Sequence, residues 1–245
     1  MSLKIFIGSS SNNEDSPIEC IYEYTLRKNS KKDLDITWMR QSHDKDSYWF
    51  NWDTSEWFTP FSGFRWGIAE ACQFKGRALY TDVDMINFRD ISEIFNFNMS
   101  EKPFAARLAK RFKGFQPCFM LIDCERAKKF LAPKNEIMFD KQAHNKYMDK
   151  FVKKPWFKDS SYFAEIDPRW NCLDGENLKI EEMYQLHFTN MGTQPWEPEW
   201  YQGSRYTHPR RDILETYFQL LEEASDNGFK PYKYKKEFDY KIIGC

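Results

Sequence analysis

The 245 residues carry 36 lysines and arginines against 37 aspartates and glutamates, a formal net charge of -1. That balance gives no electrostatic argument for a nucleic-acid polymer as partner, and the length suits one large domain or one domain with a small appendage. No window approaches the roughly 20 apolar residues of a membrane span, and Met1-Ser2-Leu3-Lys4 opens no signal-peptide pattern. The six cysteines are scattered without a CxxC pair. Reduced thiols and a cytoplasmic location are therefore expected. Aromatics reach 18%, which predicts a Phe- and Tyr-built core with some rings free to face a sugar or a base.

The chain opens with a predicted strand, Lys4 to Gly8, and a polar loop from Ser9 to Asp15. A helix follows, with Ser16 as N-cap, Pro17 at the first helical position and Glu19 closing a capping box. It ends near Asn29-Ser30, and Asp35 to Met39 reads as a second strand. This order predicts an α/β layer with parallel strands. No G-x-G-x-x-G follows the first strand, so a dinucleotide fingerprint is absent.

Residues 40–60, rich in tryptophan (Trp49, Trp52, Trp57), show no period and are read as an irregular loop beside the site. Helical spacing returns from Phe61 to Cys72 and stops at Gly76. A short apolar strand then runs into Asp82-Val83-Asp84, and a short helix is expected from Asp90 to Phe97. Phe104 to Arg107 and Pro117 to Ile122 read as strands, with the basic run Arg107, Lys110, Arg111, Lys113 as a solvated loop between them. Helices are expected from Cys124 to Phe130 and from Asn135 to Val152, then aromatic loop and short strand from Trp156 to Asn171. A last buried strand runs from Glu182 to Phe188. An amphipathic helix between Thr207 and Asn227 leads into a basic aromatic tail, Phe229 to Cys245. The tail is expected to pack on the domain, with peripheral contact to an anionic membrane surface as the alternative. Residues 1–206 are thus expected to form the main domain, with 207–245 packed against it.

Two carboxylates one residue apart at the end of a buried strand must be desolvated side by side, which raises their pKa values and costs free energy. A divalent cation removes the difficulty, because hard oxygens satisfy it and it supplies the missing charge. Residues one and three of the D-x-D triplet point the same way along a strand, so Asp82 and Asp84 are predicted to hold a metal that holds a diphosphate. His187 ends an apolar run and opens a loop with Gly192 and Pro195, which makes it the candidate third ligand. Asp, Asp and His with open positions for phosphate oxygens suit Mn²⁺ or Mg²⁺.

With these residues in place, the chain resembles the retaining GT-A glycosyltransferases related to glycogenin and the bacterial lipopolysaccharide galactosyltransferases (family 8), from about Lys4 to Trp196. Ile5-Phe6-Ile7-Gly8 looks like that family's first strand. Arg65 in Phe64-Arg65-Trp66 stands where the family places an arginine before the D-x-D strand. Lys75 through Asp84 is similar to its K-G-K-V-L-Y-L-D-x-D segment, and Phe115 through Asp123 to its F-N-S-G-V-M-L-I-N/D segment. Trp170-Asn171 resembles the family's Trp-Asn, and His187 through Trp196 its H-x-x-G-x-x-K-P-W. Three positions depart from the pattern, and the late loop is one residue longer between His187 and Pro195. Ser9 or Ser10 stands in place of an acid after the first strand, Cys118 in place of a glycine, and Gln194 in place of a lysine. Asp140-Lys141-Gln142 matches the D-Q-D segment only loosely.

The resemblance implies a GT-A (Rossmann-like) fold, a mixed central sheet flanked by helices as in nucleotide-diphospho-sugar transferases. It implies metal-dependent transfer of a hexose from a UDP-sugar to an acceptor hydroxyl with retention, on a glycan, lipid-linked or protein acceptor. Nucleotide-sugar contacts would come from Gly8, Ser9, Ser10, Arg65, Thr81, Asp82, Val83, Asp84, Gly192 and Gln194, and metal ligation from Asp82, Asp84 and His187. Arg65, Gln116, Asp123 and Asp140 would line or act on the transferred sugar, while Trp196 would shape its loop. A non-catalytic nucleotide-sugar-binding module and a metal-dependent nucleotidyltransferase are the alternatives.

Overall fold

The structure is a computed structural model, and it describes residues 2–109, 114–152, 162–196, 201, 203–233 and 235–239. Lys110, Arg111 and Lys113 of the basic run lie outside these residues, as do Trp156, Lys241 and Cys245. Strand β1 (Leu3–Gly8) leads into helix α1 (Ser16–Asn29) and strand β2 (Leu34–Met39), which pairs parallel to β1. A 3-10 turn (Phe64–Gly67) and the short α2 (Ile68–Ala71) precede β3 (Arg77–Asp82), also parallel to β1. Gly76 makes the entry at φ +65, a left-handed conformation that suits glycine.

Strand β4 (Met85–Asn87) follows directly, then β5 (Phe104–Ala109) and β6 (Gly114–Asp123). Helices α3 (Cys124–Ala127), α4 (Lys134–Ile137) and α5 (Ala143–Tyr147) come next. Strands β7 (Phe163–Glu165), β8 (Cys172–Leu173) and β9 (Gln185–His187) precede the last helix, α6 (Arg211–Asp226). The main sheet has the order β2-β1-β3-β6-β5-β7, and a second sheet has the order β4-β9-β8. In the main sheet β6 runs antiparallel to both β3 and β5. The central strands are apolar on both faces, with Ile5, Ile7, Leu79, Tyr80, Met120 and Leu121 buried, as expected where helices cover a sheet on both sides.

Several local expectations change. The capping box at α1 does not form: Asp15 is the N-cap residue without a side-chain cap, while Glu19 is buried beneath the sheet edge. There its carboxylate accepts from the Ser9 hydroxyl and pairs with Arg40 at 2.6 Å. A buried carboxylate needs its counter-charge, and that demand outweighs one helix cap. The expected helix from Asn135 to Val152 is instead α4, α5 and a π-helical turn (Met148–Val152). The tryptophans of 40–60 are not solvent-facing: Trp49, Trp52 and Trp57 surround Phe64 at ring separations of 5.1 to 5.5 Å.

At the other end, α6 packs on α1, where Glu223 pairs with Lys28 at 2.7 Å. The segment after α6 then returns to the loop that follows β1. Phe238 stacks on His43, and its backbone N–H donates to Asn12 Oδ1 at 2.8 Å. Lys235 and Lys236 pair with Glu237 and Asp239. No described helix is long and apolar enough to cross a membrane.

Candidate functional site

Register explains how residues far apart in sequence meet. Gly8 pairs with Asp82, so β1 and β3 end at the same edge of the sheet, the carboxyl edge where open α/β sheets bind ligands. Thr81 pairs with Phe119 across β3 and β6, which brings Cys118 alongside Asp82. In the second sheet Met85 pairs with His187, and the Phe188 N–H donates to the Asp84 carbonyl at 2.9 Å. Leu173 pairs with His187 from the other side, which places Asn171 next to the imidazole. Asp84 and His187 thus meet because β4 and β9 pair.

These elements border a cavity of about 390 Å³, within the range of small-molecule sites. Arg65, Asp82, Asp84, Gln116, Cys118 and His187 all line it. Asp82 Oδ1 accepts from Arg65 Nη2 at 3.2 Å and from the Tyr80 hydroxyl, and the Arg65 guanidinium sits 4.4 Å from the Tyr80 ring centre. Arg65 Nε donates to the Ser62 carbonyl at 2.7 Å. Burial lifts the Asp82 carboxyl above the usual carboxylate range, the Arg65 charge opposes that shift, and Asp84 adds to it.

Asp84 Oδ1 lies 3.3 Å from His187 Nε2, yet it is buried without a hydrogen bond. Burial pushes the His187 imidazole down, but the neighbouring Cys118 and Asp84 outweigh it and hold the group well above its usual range. On the far side of the ring, Nδ1 lies 2.9 Å from Asn171 Oδ1. Without a cation the raised pKa puts protons on both ring nitrogens, and with Nδ1–H held by Asn171 it is the Nε2 proton, on the Asp84 side, that a bound cation would replace. This is the outer-shell arrangement that orients metal-ligating histidines. An orphaned buried carboxylate oxygen beside an imidazole nitrogen, with a second carboxylate in the same cavity, is a donor set that fits a divalent cation.

The other expected residues are placed as follows. Gly8 is closely covered: a Cβ there would come within 2.7 Å of Phe61 Cδ2 and 3.1 Å of the Tyr80 hydroxyl. The Ser9 hydroxyl faces Glu19, and Ser10 Oγ accepts from the Asp15 N–H at 3.3 Å, so both side chains are spent inside the fold. Thr81 and Val83 are buried on either side of Asp82. Gly192 is buried and donates to Asn190 Oδ1 at 3.0 Å. Gln194 Nε2 lies 3.4 Å from Asp84 Oδ2 and 3.2 Å from the Phe188 carbonyl. The Gln116 Oε1 atom is buried without a partner.

Two candidates stand apart from this group. Asp123 pairs in register with Arg77, at the opposite end of β3 from Asp82. There it caps α3 by accepting from the Arg126 N–H at 3.1 Å. Asp140 pairs with Lys146 at 2.6 Å and does not line the cavity. Trp196 is buried, stacks on Tyr217 and donates to Asp15 Oδ1 at 2.8 Å, so it anchors the late loop to the first one.

The structure also adds residues that no motif marked. His144 lines the cavity from α5, and its Nδ1 accepts from Trp66 Nε1 at 3.0 Å, so the neutral ring carries its proton on Nε2. Phe58, Thr59, Ser62 and Met148 complete that wall. A histidine in a polar stretch gives no sequence signal of its own. The turn at Met148–Val152 that shapes this wall also breaks helical spacing.

No protein-family model and no curated protein sequence matches the chain. Solved structures do match its fold. The galactosyltransferase LgtC in complex with donor and acceptor sugar analogs has a TM-score of 0.58 at 10% identity, covering 90% of this chain and 96% of that one. The bifunctional glycosyltransferase WbbM has a TM-score of 0.57 at 11% identity, covering 92% of this chain and 51% of that one. The glycosyltransferase GlyE of Streptococcus pneumoniae TIGR4 has a TM-score of 0.53 at 16% identity, covering 96% and 67%. The chain therefore spans about half of WbbM and nearly all of LgtC. At these identities the likeness is one of fold, and it is the expected GT-A fold.

Proposed function

We propose that the protein is a metal-dependent glycosyltransferase that moves a hexose from a UDP-sugar to an acceptor hydroxyl with retention of configuration. The observation that carries this reading is the pairing of Asp84 Oδ1 with His187 Nε2 at 3.3 Å, with the oxygen otherwise unbonded, in one cavity with Asp82 and Arg65. The GT-A fold shared with LgtC, WbbM and GlyE supports it. The free thiols at Cys20, Cys72, Cys118, Cys124 and Cys172 suit a reducing compartment, and we place the reaction in the cytoplasm.

Asp82, Asp84 and His187 would hold Mn²⁺ or Mg²⁺, which when bound stabilises the negative charge of the departing diphosphate. Arg65, fixed by Ser62 and Asp82, presents its positive charge to the same region without reorganisation. Gln116 Oε1 is an unsatisfied buried acceptor, suited to a hydroxyl of the donor sugar. Asp82 and Asp84 are the only carboxylates among the described lining residues, and both are committed to the cation. No separate nucleophile is therefore assigned. The acceptor hydroxyl attacks on the face that the diphosphate leaves, and its proton passes to the leaving phosphate oxygen. Phe58, Phe61, Phe115 and Met148 surround the reacting region with apolar surface and exclude water that would hydrolyse the donor.

Thermal-shift screening with UDP, UDP-glucose and UDP-galactose, each with and without Mn²⁺, tests the reading. Stabilisation by a uridine nucleotide that requires Mn²⁺ is expected. If no uridine nucleotide stabilises the protein in the presence of Mn²⁺, the reading fails.

A further inference from the structure

Cys118 lines the cavity beside Asp82 and His187, and the oxygen-and-imidazole reading leaves its sulfur out. It lies on β6 beside the end of β3, and one ligand atom each from Asp82, Cys118 and His187 lies within 4.8 Å of the other two. A single ion with bonds of about 2.0 to 2.3 Å spreads its ligand atoms over much the same span. The amide of Asn171 holds two members of this group at once. Its Oδ1 lies 2.9 Å from His187 Nδ1, and its Nδ2 donates to Cys118 Sγ at 3.2 Å. Sγ itself sits 3.6 Å from His187 Nδ1.

The charges agree with this arrangement. Two carboxylates and one thiolate sum to three negative charges, and a divalent ion with the Arg65 guanidinium supplies three positive ones. We propose that Cys118 is a sulfur ligand in this site. Together with Asp82 and His187 it holds a thiophilic divalent cation of the zinc, cobalt or cadmium class, with a further position open to the cavity. Soft thiolate ligands select such ions over Mg²⁺ and Mn²⁺, which prefer oxygen. The inference rests on the cation site of the proposed function and names the class of ion that this chain's own residues favour.

Co²⁺ is added to the reduced protein, and its visible d–d bands are read together with the near-ultraviolet band that only cobalt–thiolate bonding produces. The wild type is expected to show both, and Cys118→Ser to lose the near-ultraviolet band. Calorimetry with Cd²⁺ and Mn²⁺ should show the ratio of their affinities falling about tenfold or more in Cys118→Ser, because only the softer ion loses a preferred ligand. Cys118→Ala serves as the second variant where the serine form does not fold. The proposal is overturned if cobalt binds without the thiolate band, if the band survives in both variants, or if no cobalt binds. Mn²⁺-dependent UDP binding by the wild type is measured in parallel. A thiolate band without UDP binding would sink the glycosyltransferase reading and leave this site standing, and the reverse result would do the opposite.

Discussion

The side-chain amide of Gln194 reaches Asp84, with Nε2 3.4 Å from Oδ2, and so ties the late loop to the D-x-D strand end. Asp84 is thereby approached from two sides, by Gln194 at Oδ2 and by His187 at Oδ1. Gln194→Lys replaces a neutral donor with a charged one at a point facing the proposed diphosphate. Charge-assisted hydrogen bonds are roughly twice as strong as neutral ones. With Asp84 engaged by Mn²⁺, the lysine is free for phosphate oxygens, and UDP affinity is expected to tighten about fivefold. Calorimetry of UDP with Mn²⁺ checks this, and a weaker UDP complex would remove the loop from the diphosphate.

Asn171→Ala leaves His187 Nδ1 without the acceptor that orients the ring. Outer-shell partners of this kind typically contribute 10- to 100-fold to metal affinity, so a loss of about that size is expected for Mn²⁺. Electron paramagnetic titration of free Mn²⁺ reads it directly. An unchanged affinity would show that Asn171 serves only to pack the second sheet.

Arg65 tests the balance of charge around Asp82. Its removal leaves a buried carboxylate without its cation, and Arg65→Ala is expected to lower stability by about 3 kcal/mol. Arg65→Lys keeps the charge but not the two separately directed donors to Ser62 and Asp82, so a smaller loss is expected. Added Mn²⁺ should raise the melting temperature of Arg65→Ala more than that of the wild type, since the ion replaces the missing charge. Equal shifts in both proteins would separate Arg65 from the cation site.

Most of the main sheet, and the residues that gather at the cavity around Asp82, could be read from the sequence, and the failures have physical causes. Leu79 and Tyr80 before the aspartates, and Gly76 before them, mark β3 locally. Strands β4 and β8 are three and two residues long, and they exist because β9 pairs with both of them. No window of residues reports such pairing. His187 is recognisable by its loop, and Cys118 and Asn171 by the segments that carry the resemblance, whereas His144 joins the cavity only through packing. Asp123, which the resemblance set beside the sugar, lies elsewhere, because a strand's own residues do not report the direction of its pairing. The antiparallel course of β6 sends it to the edge away from Asp82.

Asp15 provides a pH signature remote from the cation. It is buried and accepts from Trp196 through Oδ1, while Oδ2 has no partner. Burial pushes its pKa up to about 7, the hydrogen bonds from Trp196 and Ser10 pull it down, and Glu19 and Glu14 add repulsion. A carboxyl whose folded pKa lies above its unfolded value contributes stability at low pH. That contribution fades as the unfolded chain ionises from about pH 4 and is gone above about pH 7. Asp15→Asn keeps an acceptor for Trp196 and abolishes the titration. It is expected to be more stable than the wild type by about 1–2 kcal/mol at pH 8, with the difference vanishing near pH 4. Urea unfolding at the two pH values reads both numbers, and a pH-independent difference would contradict the assignment.

The central claim is that Asp84 and His187 hold the ion that holds the nucleotide diphosphate. Its most direct test is calorimetry of UDP binding to the wild type and to Asp84→Ala, each with and without Mn²⁺, with circular dichroism to check the fold. The account predicts that Mn²⁺ tightens UDP in the wild type and that Asp84→Ala loses this gain while keeping its spectrum. An Asp84→Ala protein with undiminished Mn²⁺-dependent UDP affinity would contradict it.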